Sequence, residues 1–299
     1  MPSAARPTTT ARTLGNMANE QMRELWTNRA GPGWFANHDT FKAVLQPVAS
    51  AVITAAEPLD GRVVLDVGCG TGGLSRLVAD RGGTPVGADI SATMVDGARR
   101  LYPELRFEVV DVQVADLAAL APGGFDRVIS EFGVMFFDDP VAAFANIAAA
   151  VRPQSTMAFA CWRSLAENQM FTLGTHLLLD RMPEPPPPAS PRQPGPVAFA
   201  DADYVANVLE TAGWLDVDVA ALDVDLRFGI AGSDGVEERL AVILSGSTGQ
   251  AAIAQLRPAL GEAGWEALLD DVRAEVSTAM VDGAVQFPGC IWVVRAAAP

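Results

Sequence analysis

The chain has 299 residues, 49% of them hydrophobic and 19% charged, a balance that excludes a largely disordered polypeptide and provides for a substantial core. Its formal net charge is −15 and its single lysine is Lys42, so clustered cations for a nucleic-acid backbone are missing and a small-molecule substrate is expected rather than DNA, RNA or an anionic membrane. No apolar run reaches the roughly eighteen residues needed to span a bilayer, and residues 1–16 lack the apolar centre of a signal peptide, so no membrane insertion and a cytoplasmic location are expected.

Residues 1–16 have no periodicity and read as a mobile tail. Residues 17–60 read as an N-terminal helical lid. In it, Gln21 to Trp26 form a short helix, Gly31-Pro32-Gly33 breaks it, and Trp34-Phe35 supplies an aromatic pair. A second helix is expected from His38 to Glu57, with Phe41, Val44, Leu45, Val48 and Val52 at helical spacing despite Pro47.

The run Val63-Val64-Leu65-Asp66-Val67 is short, β-branched and almost continuously apolar, as a parallel strand covered on both faces requires. It ends in Gly68-Cys69-Gly70-Thr71-Gly72, where missing Cβ atoms let the chain reverse and a ligand approach bare backbone, before a helix through Leu74 to Ala79. A second strand, Thr84 to Asp89, ends in a carboxylate about twenty positions after the glycines, where it can accept both hydroxyls of a ribose. The spacing Gly68-x-Gly70-x-Gly72 is shorter than the G-x-G-x-x-G of dinucleotide sites and favours an adenosine ligand without phosphates. Asp66 could equally cap the turn, Ser91 could cap the following helix, and Met94 could be plain core.

Phe125 to Glu131 reads as the fourth strand, Pro140 to Val151 as an alanine-rich helix, Thr156 to Trp162 as the fifth strand and Glu167 to Leu179 as a further helix. Pro183, Pro185 to Pro188, Pro191, Pro194 and Pro196 exclude regular structure and mark an extended surface strap, so residues 166–200 form a helix plus a Pro-rich strap. A helix from about Asp201 to Ala212 follows. Leu215 to Phe228 then alternates apolar and acidic residues as a strand with one wet face, residues 233–281 carry helical patterns, and Ala284 to Arg295 reads as the last strand. Cys69, Cys161 and Cys290 are far apart and suggest neither a metal site nor a disulfide framework.

The segments Leu65-Asp66-Val67-Gly68-Cys69-Gly70-Thr71-Gly72, Gly87-Ala88-Asp89-Ile90-Ser91 with Met94, Val109-Val110-Asp111-Val112 and Phe125-Asp126-Arg127-Val128-Ile129-Ser130 together resemble the class I S-adenosylmethionine-dependent methyltransferases, over roughly residues 45 to 165. The resemblance is strongest to the quinone-biosynthesis and natural-product small-molecule branch. It implies an α/β fold with a doubly wound, seven-stranded, mostly parallel sheet whose last strand is antiparallel. It also implies a cofactor-binding core at 61–165 and a C-terminal part, 201–299, that completes the core and carries a helical cap at 233–281. S-adenosyl-L-methionine is the implied cofactor. The glycine turn with Asp66 and Cys69 would hold its methionine end, Asp89 the ribose, Ile90 and Met94 one adenine face, and Asp111 with Val112 the adenine edge. Ser130, Glu131 and Phe132 would line the floor.

Trp34, Met135, Phe136, Phe137 and Trp162 are expected to wall an apolar substrate pocket, pointing to an apolar or aromatic small acceptor. A sulfonium methyl group is already activated, so alignment and exclusion of water do most of the work, and a base is needed only for an acceptor that must lose a proton. His38 and Glu131 are the candidate bases, with His176 and Glu167 behind them. Carbon, oxygen and nitrogen acceptors stay open, as do the oligomeric state, another reaction of the bound cofactor, and ligand binding without turnover.

Overall fold

The computed structural model describes residues 19–299, so the reading of residues 1–16 as a mobile tail lies outside the described residues. The chain opens with helix α1 (Glu20–Glu24), a π-helical turn (Leu25–Arg29), α2 (Ala30–Ala36), α3 (His38–Val44) and α4 (Gln46–Ala56). The core follows as β1 (Val63–Val67), α5 (Gly73–Ala79), β2 (Thr84–Asp89), α6 (Ala92–Leu101), β3 (Arg106–Val109), β4 (Phe125–Glu131), α7 (Pro140–Ala148) and β5 (Val151–Trp162). The remainder comprises α8 (Gln169–Thr172), α9 (Thr175–Leu179), α10 (Ala202–Thr211), β6 (Leu215–Arg227), α11 (Val236–Ser245), α12 (Ser247–Ser277), β7 (Met280–Val281) and β8 (Ala284–Ala297).

The strands lie in the order β3-β2-β1-β4-β5-β8-β6, with the two-residue β7 pairing β8 alone. The first five are mutually parallel, and β8 runs antiparallel between β5 and β6. This is the doubly wound, seven-stranded, mostly parallel sheet expected from the sequence, with the last strand antiparallel. Strand order reverses between β1 and β4, and in such sheets the crevice beyond the carboxyl ends at that point is where ligands bind. Val64, Leu65 and Val67 of β1 are buried, as are Phe125, Val128 and Ile129 of β4, which explains their near-continuous apolar runs.

Several element boundaries differ from the sequence reading, each for a local reason. Gly31-Pro32-Gly33 does not break the first helix but lies inside α2. The π-helical turn leaves the Trp26 and Thr27 carbonyls free for side chains of α6: Ser91 Oγ donates to Trp26 O and Thr93 Oγ1 to Thr27 O, both at 2.8 Å. Pro32 lies in the first turn of α2, where a missing N–H is tolerated, and Gly31 is needed because a Cβ would collide with Trp26 O. The expected helix from His38 to Glu57 is two helices meeting at Leu45, and Pro47 sits in the first turn of α4, where its missing N–H is harmless. The helix expected to reach Val151 stops at Ala148, because Val151 pairs with Phe125 and β5 starts there rather than at Thr156. The single helix expected from Glu167 to Leu179 is two short ones separated by Gly174, whose φ is 79°.

The proline strap has no regular structure between α9 and α10, yet it is anchored: Gly195 N–H donates to Met135 O at 3.0 Å, and Phe199 packs among Phe144 and Phe159 in the core. Asp201 then caps α10 by accepting from the Asp203 and Tyr204 amides.

Candidate functional site

At the carboxyl end of β1 the chain makes its glycine turn, and a second backbone crosses it at close range. A Cβ on Gly68 would stand 2.6 Å from Gly133 Cα, and one on Gly133 would stand 2.5 Å from Val67 O, so both positions must be glycine for the turns after β1 and β4 to touch. Ser130 Oγ fastens the same junction by donating to Val67 O and accepting from the Gly133 amide. Gly70, with φ 54°, is different: its only neighbour in the direction of a side chain is Met94 Cε at 3.4 Å. Its bare face is therefore turned to open space above Met94.

Three carboxylates surround this turn. Asp89 ends β2, and its two oxygens accept from the Gly70 amide at 2.9 Å and the Ser91 amide at 2.8 Å, so it shapes the turn as well as facing it. Burial pushes its carboxyl up. Asp66 is 1% exposed; Ser75 Oγ donates to its Oδ2 at 2.6 Å, while Oδ1 is sealed and has no partner among the described residues. Burial raises Asp66 to about 7, with the charge of Asp89 adding to the effect. Glu131 ends β4, Oε1 is likewise sealed without a partner, and burial followed by repulsion from Asp66 raises it to about 8. Asp66 pairs with Ile129 in register, so Glu131 lies two residues further along the adjacent strand, on the same face and beside the start of the glycine turn.

Asp111 follows β3 and is 7% exposed. Its carboxylate is held from an unexpected direction. Asn19 Nδ2 donates to Asp111 Oδ1 at 2.9 Å and to Gln113 Oε1 at 3.1 Å, while Asn19 Oδ1 accepts from the Asp138 amide at 2.7 Å. Arg23 stands 3.8 Å from Asp111 Oδ2. This clasp ties the residue before α1 to the loops after β3 and β4. No periodicity or motif in the sequence marks Asn19 or Gln113, because the partners are 92 and 94 residues apart.

The remaining residues singled out in the sequence divide into two groups. Phe132 has a left-handed backbone, φ 64°, and its ring stacks on Trp162 at 4.2 Å; Trp162 in turn meets the edge of Phe171, which the sequence reading missed. Phe136 meets the edge of Trp26 at 5.1 Å, and Trp26 meets Trp34, itself stacked on Phe41. Phe132 and Trp162 lie at the carboxyl ends of β4 and β5, whereas Trp26 of the N-terminal helices meets Phe136 of the loop after β4. Met135, by contrast, is 1% exposed and its Sδ accepts from the Trp162 amide, and Phe137 packs on the edge of Phe144. The Cys69 side chain packs beneath the turn with Val95, Ala98 and Phe107, and burial raises its thiol, so only its backbone belongs to the turn.

Neither imidazole reaches the crevice. His38 stacks on Phe35 and its Nε2 is 3.2 Å from Asp39, while Phe35 lies against Gly97 and Arg100 on the flank of α6. His176 is half exposed on α9, 3.3 Å from Glu275. Glu167 is held by Ser164 and Arg163 as part of a capping box, which keeps its carboxyl low.

A glycine turn at the switch point, with carboxylates at or near the ends of β1, β2 and β4, is the arrangement of a ligand site in a doubly wound α/β fold. The described methyltransferase-domain family matches residues 65–159. Nocamycin O-methyltransferase of Saccharothrix syringae is 31% identical over 194 residues, covering 61% of this chain and 69% of that protein. Ubiquinone biosynthesis O-methyltransferase of Thiobacillus denitrificans is 30% identical over 157 residues, covering 50% and 67%. In fold, the chain is similar to phosphoethanolamine N-methyltransferase 2 of Haemonchus contortus in complex with S-adenosyl-L-methionine, with a TM-score of 0.50, 14% identity, and 92% and 59% of the two chains covered. The chain belongs to the class I S-adenosylmethionine-dependent methyltransferases. It is an enzyme of that class and its cofactor is S-adenosyl-L-methionine. Among the described residues, no helix is long and apolar enough to cross a membrane.

Proposed function

We propose that this methyltransferase acts on a small, apolar or aromatic acceptor, with the cofactor seated across the switch point between β1 and β4. The observation that carries the seat is the pair of sealed, partnerless oxygens, Asp66 Oδ1 and Glu131 Oε1. Unpaired buried acceptors are costly, and their natural complement is a ligand that brings positive charge. S-adenosyl-L-methionine carries an ammonium and a sulfonium, so the two carboxylates fit its methionine end. Asp89, whose oxygens each keep a lone pair after accepting a backbone amide, receives the ribose hydroxyls; the bare face of Gly70 and Met94 below it accommodate the nucleoside. Ile90 completes that face, and Asp111 and the Val112 backbone take the adenine edge. Within this division, residues 17–60 act as the lid, 61–165 as the cofactor core, and 201–299 as the remaining core and cap.

The apolar acceptor is supported by two groups of rings, Trp26 with Trp34 and Phe136, and Phe132 with Trp162 and Phe171 at the carboxyl ends of β4 and β5. Both relatives are named for O-methylation, and that favours an oxygen nucleophile. The bound cofactor supplies an activated methyl group; the chain aligns the acceptor behind it and excludes water.

The decisive experiment incubates the protein with methyl-labelled cofactor and a panel of phenols, hydroxyquinones and amines. Label transferred to a hydroxylated ring, with stoichiometric S-adenosylhomocysteine, is the expected result. Transfer to amines alone would overturn the acceptor reading. The seat is tested by Gly70→Val, in which added methyls crowd Met94 and the ligand's approach at a left-handed φ. Loss of cofactor binding in a folded variant is expected, and unchanged affinity would overturn the seat.

A further inference from the structure

Methyl transfer to a hydroxyl releases a proton, and the crevice offers few groups to take it. Both imidazoles are committed elsewhere, His38 against Phe35 and Asp39 on the flank of α6 and His176 against Glu275 on the cap. Asp89 is engaged by two backbone amides and Asp66 by Ser75. Among the described residues, Glu131 alone brings to the end of β4 a carboxylate whose Oε1 has no protein partner and which no side-chain donor holds. The next residue, Phe132, takes the left-handed backbone that β-strand ends rarely tolerate outside glycine, and its amide is fixed to Ala160 O at 3.1 Å. That turn separates the roles of the two neighbours: the ring goes to the Trp162 stack and the carboxylate stays beside the glycine turn.

Resting on the cofactor seat proposed above, we infer that Glu131 is the proton acceptor of the methyl-transfer step and that the acceptor is therefore a weakly acidic hydroxyl, a phenol or an enol. In the step the oxygen's electron pair forms the new bond to the methyl carbon, the methyl–sulfur bond breaks with its pair left on sulfur, and the hydroxyl proton passes to the Glu131 carboxylate. One positive charge on sulfur disappears as one negative charge on Glu131 is neutralised, so the net charge of a buried site is unchanged. No counter-ion has to enter or leave. A carboxyl raised to about 8 by burial and by Asp66 is far better matched to a phenol than an ordinary glutamate is.

The groups that could perturb Glu131 are few. On β1 it is Asp66, which raises it; on β5 the nearest titratable side chain is the buried Cys161, turned to Phe199 O; and α4, packed on β4 and β5, carries no titratable residue. Cofactor binding must then displace a proton. In the free protein at pH 7 Glu131 is largely protonated, and arrival of the sulfonium favours its ionised form.

Calorimetry in buffers of different ionisation enthalpy reads this without an acceptor. S-adenosylmethionine and S-adenosylhomocysteine both carry the ammonium and differ by the sulfonium charge and its methyl. At pH 7 the wild-type protein is expected to release more protons with S-adenosylmethionine than with S-adenosylhomocysteine, the difference approaching roughly one. Glu131→Gln should abolish that difference, and Glu131→Asp, which keeps an ionisable carboxyl, should retain it. The same Gln variant should transfer methyl to a phenol on the order of a hundredfold more slowly, with the rate no longer rising through the wild-type pH profile. Equal proton release for the two nucleosides in the wild type, or a difference that survives in Glu131→Gln, overturns the assignment even if the Gln variant folds poorly, because the wild-type measurement stands alone. If neither nucleoside binds, the cofactor seat itself has failed, a result distinct from binding without a proton difference.

Discussion

Asp89 shows how a single side chain serves both the fold and the ligand. Its oxygens accept from Gly70 and Ser91 on either side of the crevice, so it pins the glycine turn to the start of α6 before any ribose is present. Asp89→Asn keeps the shape but turns one acceptor into a donor that faces a backbone N–H. Cofactor affinity is expected to fall about five- to 150-fold, the range of one to three kcal/mol for losing charge-assisted hydrogen bonds, measured by titration with S-adenosylhomocysteine. Affinity within twofold of wild type would remove Asp89 from the seat. The importance of this residue was legible in the sequence because a strand, an acidic end and a glycine turn are local patterns. The three glycines were less so: Gly68 is fixed by contact with Gly133 and Gly72 by Phe107, and only Gly70 leaves a bare face. Identical letters in one motif answer to different neighbours, and those neighbours are distant in sequence.

At the scale of elements, the lid is held to the core by hydrogen bonds more than by a motif. Ser91 and Thr93 on α6 hold the carbonyls freed by the π-helical turn, and Asn19 holds Asp111, Gln113 and the Asp138 amide. Replacing Asn19 by Leu strands those buried partners. A loss of about one to three kcal/mol of local stability, or roughly five- to 150-fold more frequent opening, is expected and should appear as faster proteolytic cleavage between residues 19 and 36 with the global melt little changed. Cleavage at the wild-type rate would show that the clasp does not hold the lid. Strands β1, β2 and β4 were readable from apolar runs, whereas the lid was misread at Gly31-Pro32-Gly33. Glycine and proline normally stop a helix, but here a π-helical turn precedes them and its carbonyls accept from the Ser91 and Thr93 hydroxyls at the start of α6. The aromatic contacts were half legible for the same reason: the composition of Met135-Phe136-Phe137 announced a wall, but only the sheet decided that Phe136 meets the lid while Met135 and Phe137 turn inward.

For the whole molecule, the unusual feature is a cluster of three buried carboxylates in a chain already at net charge −15. Asp66 and Glu131 have folded-state values of about 7 and about 8, well above those of exposed Asp and Glu. The folded protein therefore binds more protons than the unfolded chain between those limits. Stability from this pair is fully present below about pH 4 and is lost as pH rises through 7 to 8, because the native state must then bury unpaired negative charge. Asp126, drawn low by the Val63 amide and Arg152, acts in the opposite sense and only at acid pH, so it does not mask the trend above pH 6. The free protein should accordingly melt at progressively lower temperature from pH 6 to pH 8.5, by roughly 1–2 °C for each kcal/mol lost in a chain of this size. A cationic cofactor reverses the deficit, so the rise in melting temperature on adding saturating S-adenosylmethionine should grow over the same interval, and grow less with S-adenosylhomocysteine, which lacks the sulfonium. In Glu131→Gln the decline should be shallower because one of the two titrating groups is gone. A melting temperature flat from pH 6 to pH 8.5 in the free wild-type protein would mean that the carboxylates at the switch point find partners in solution, and the electrostatic basis for seating a cation between β1 and β4 would be lost.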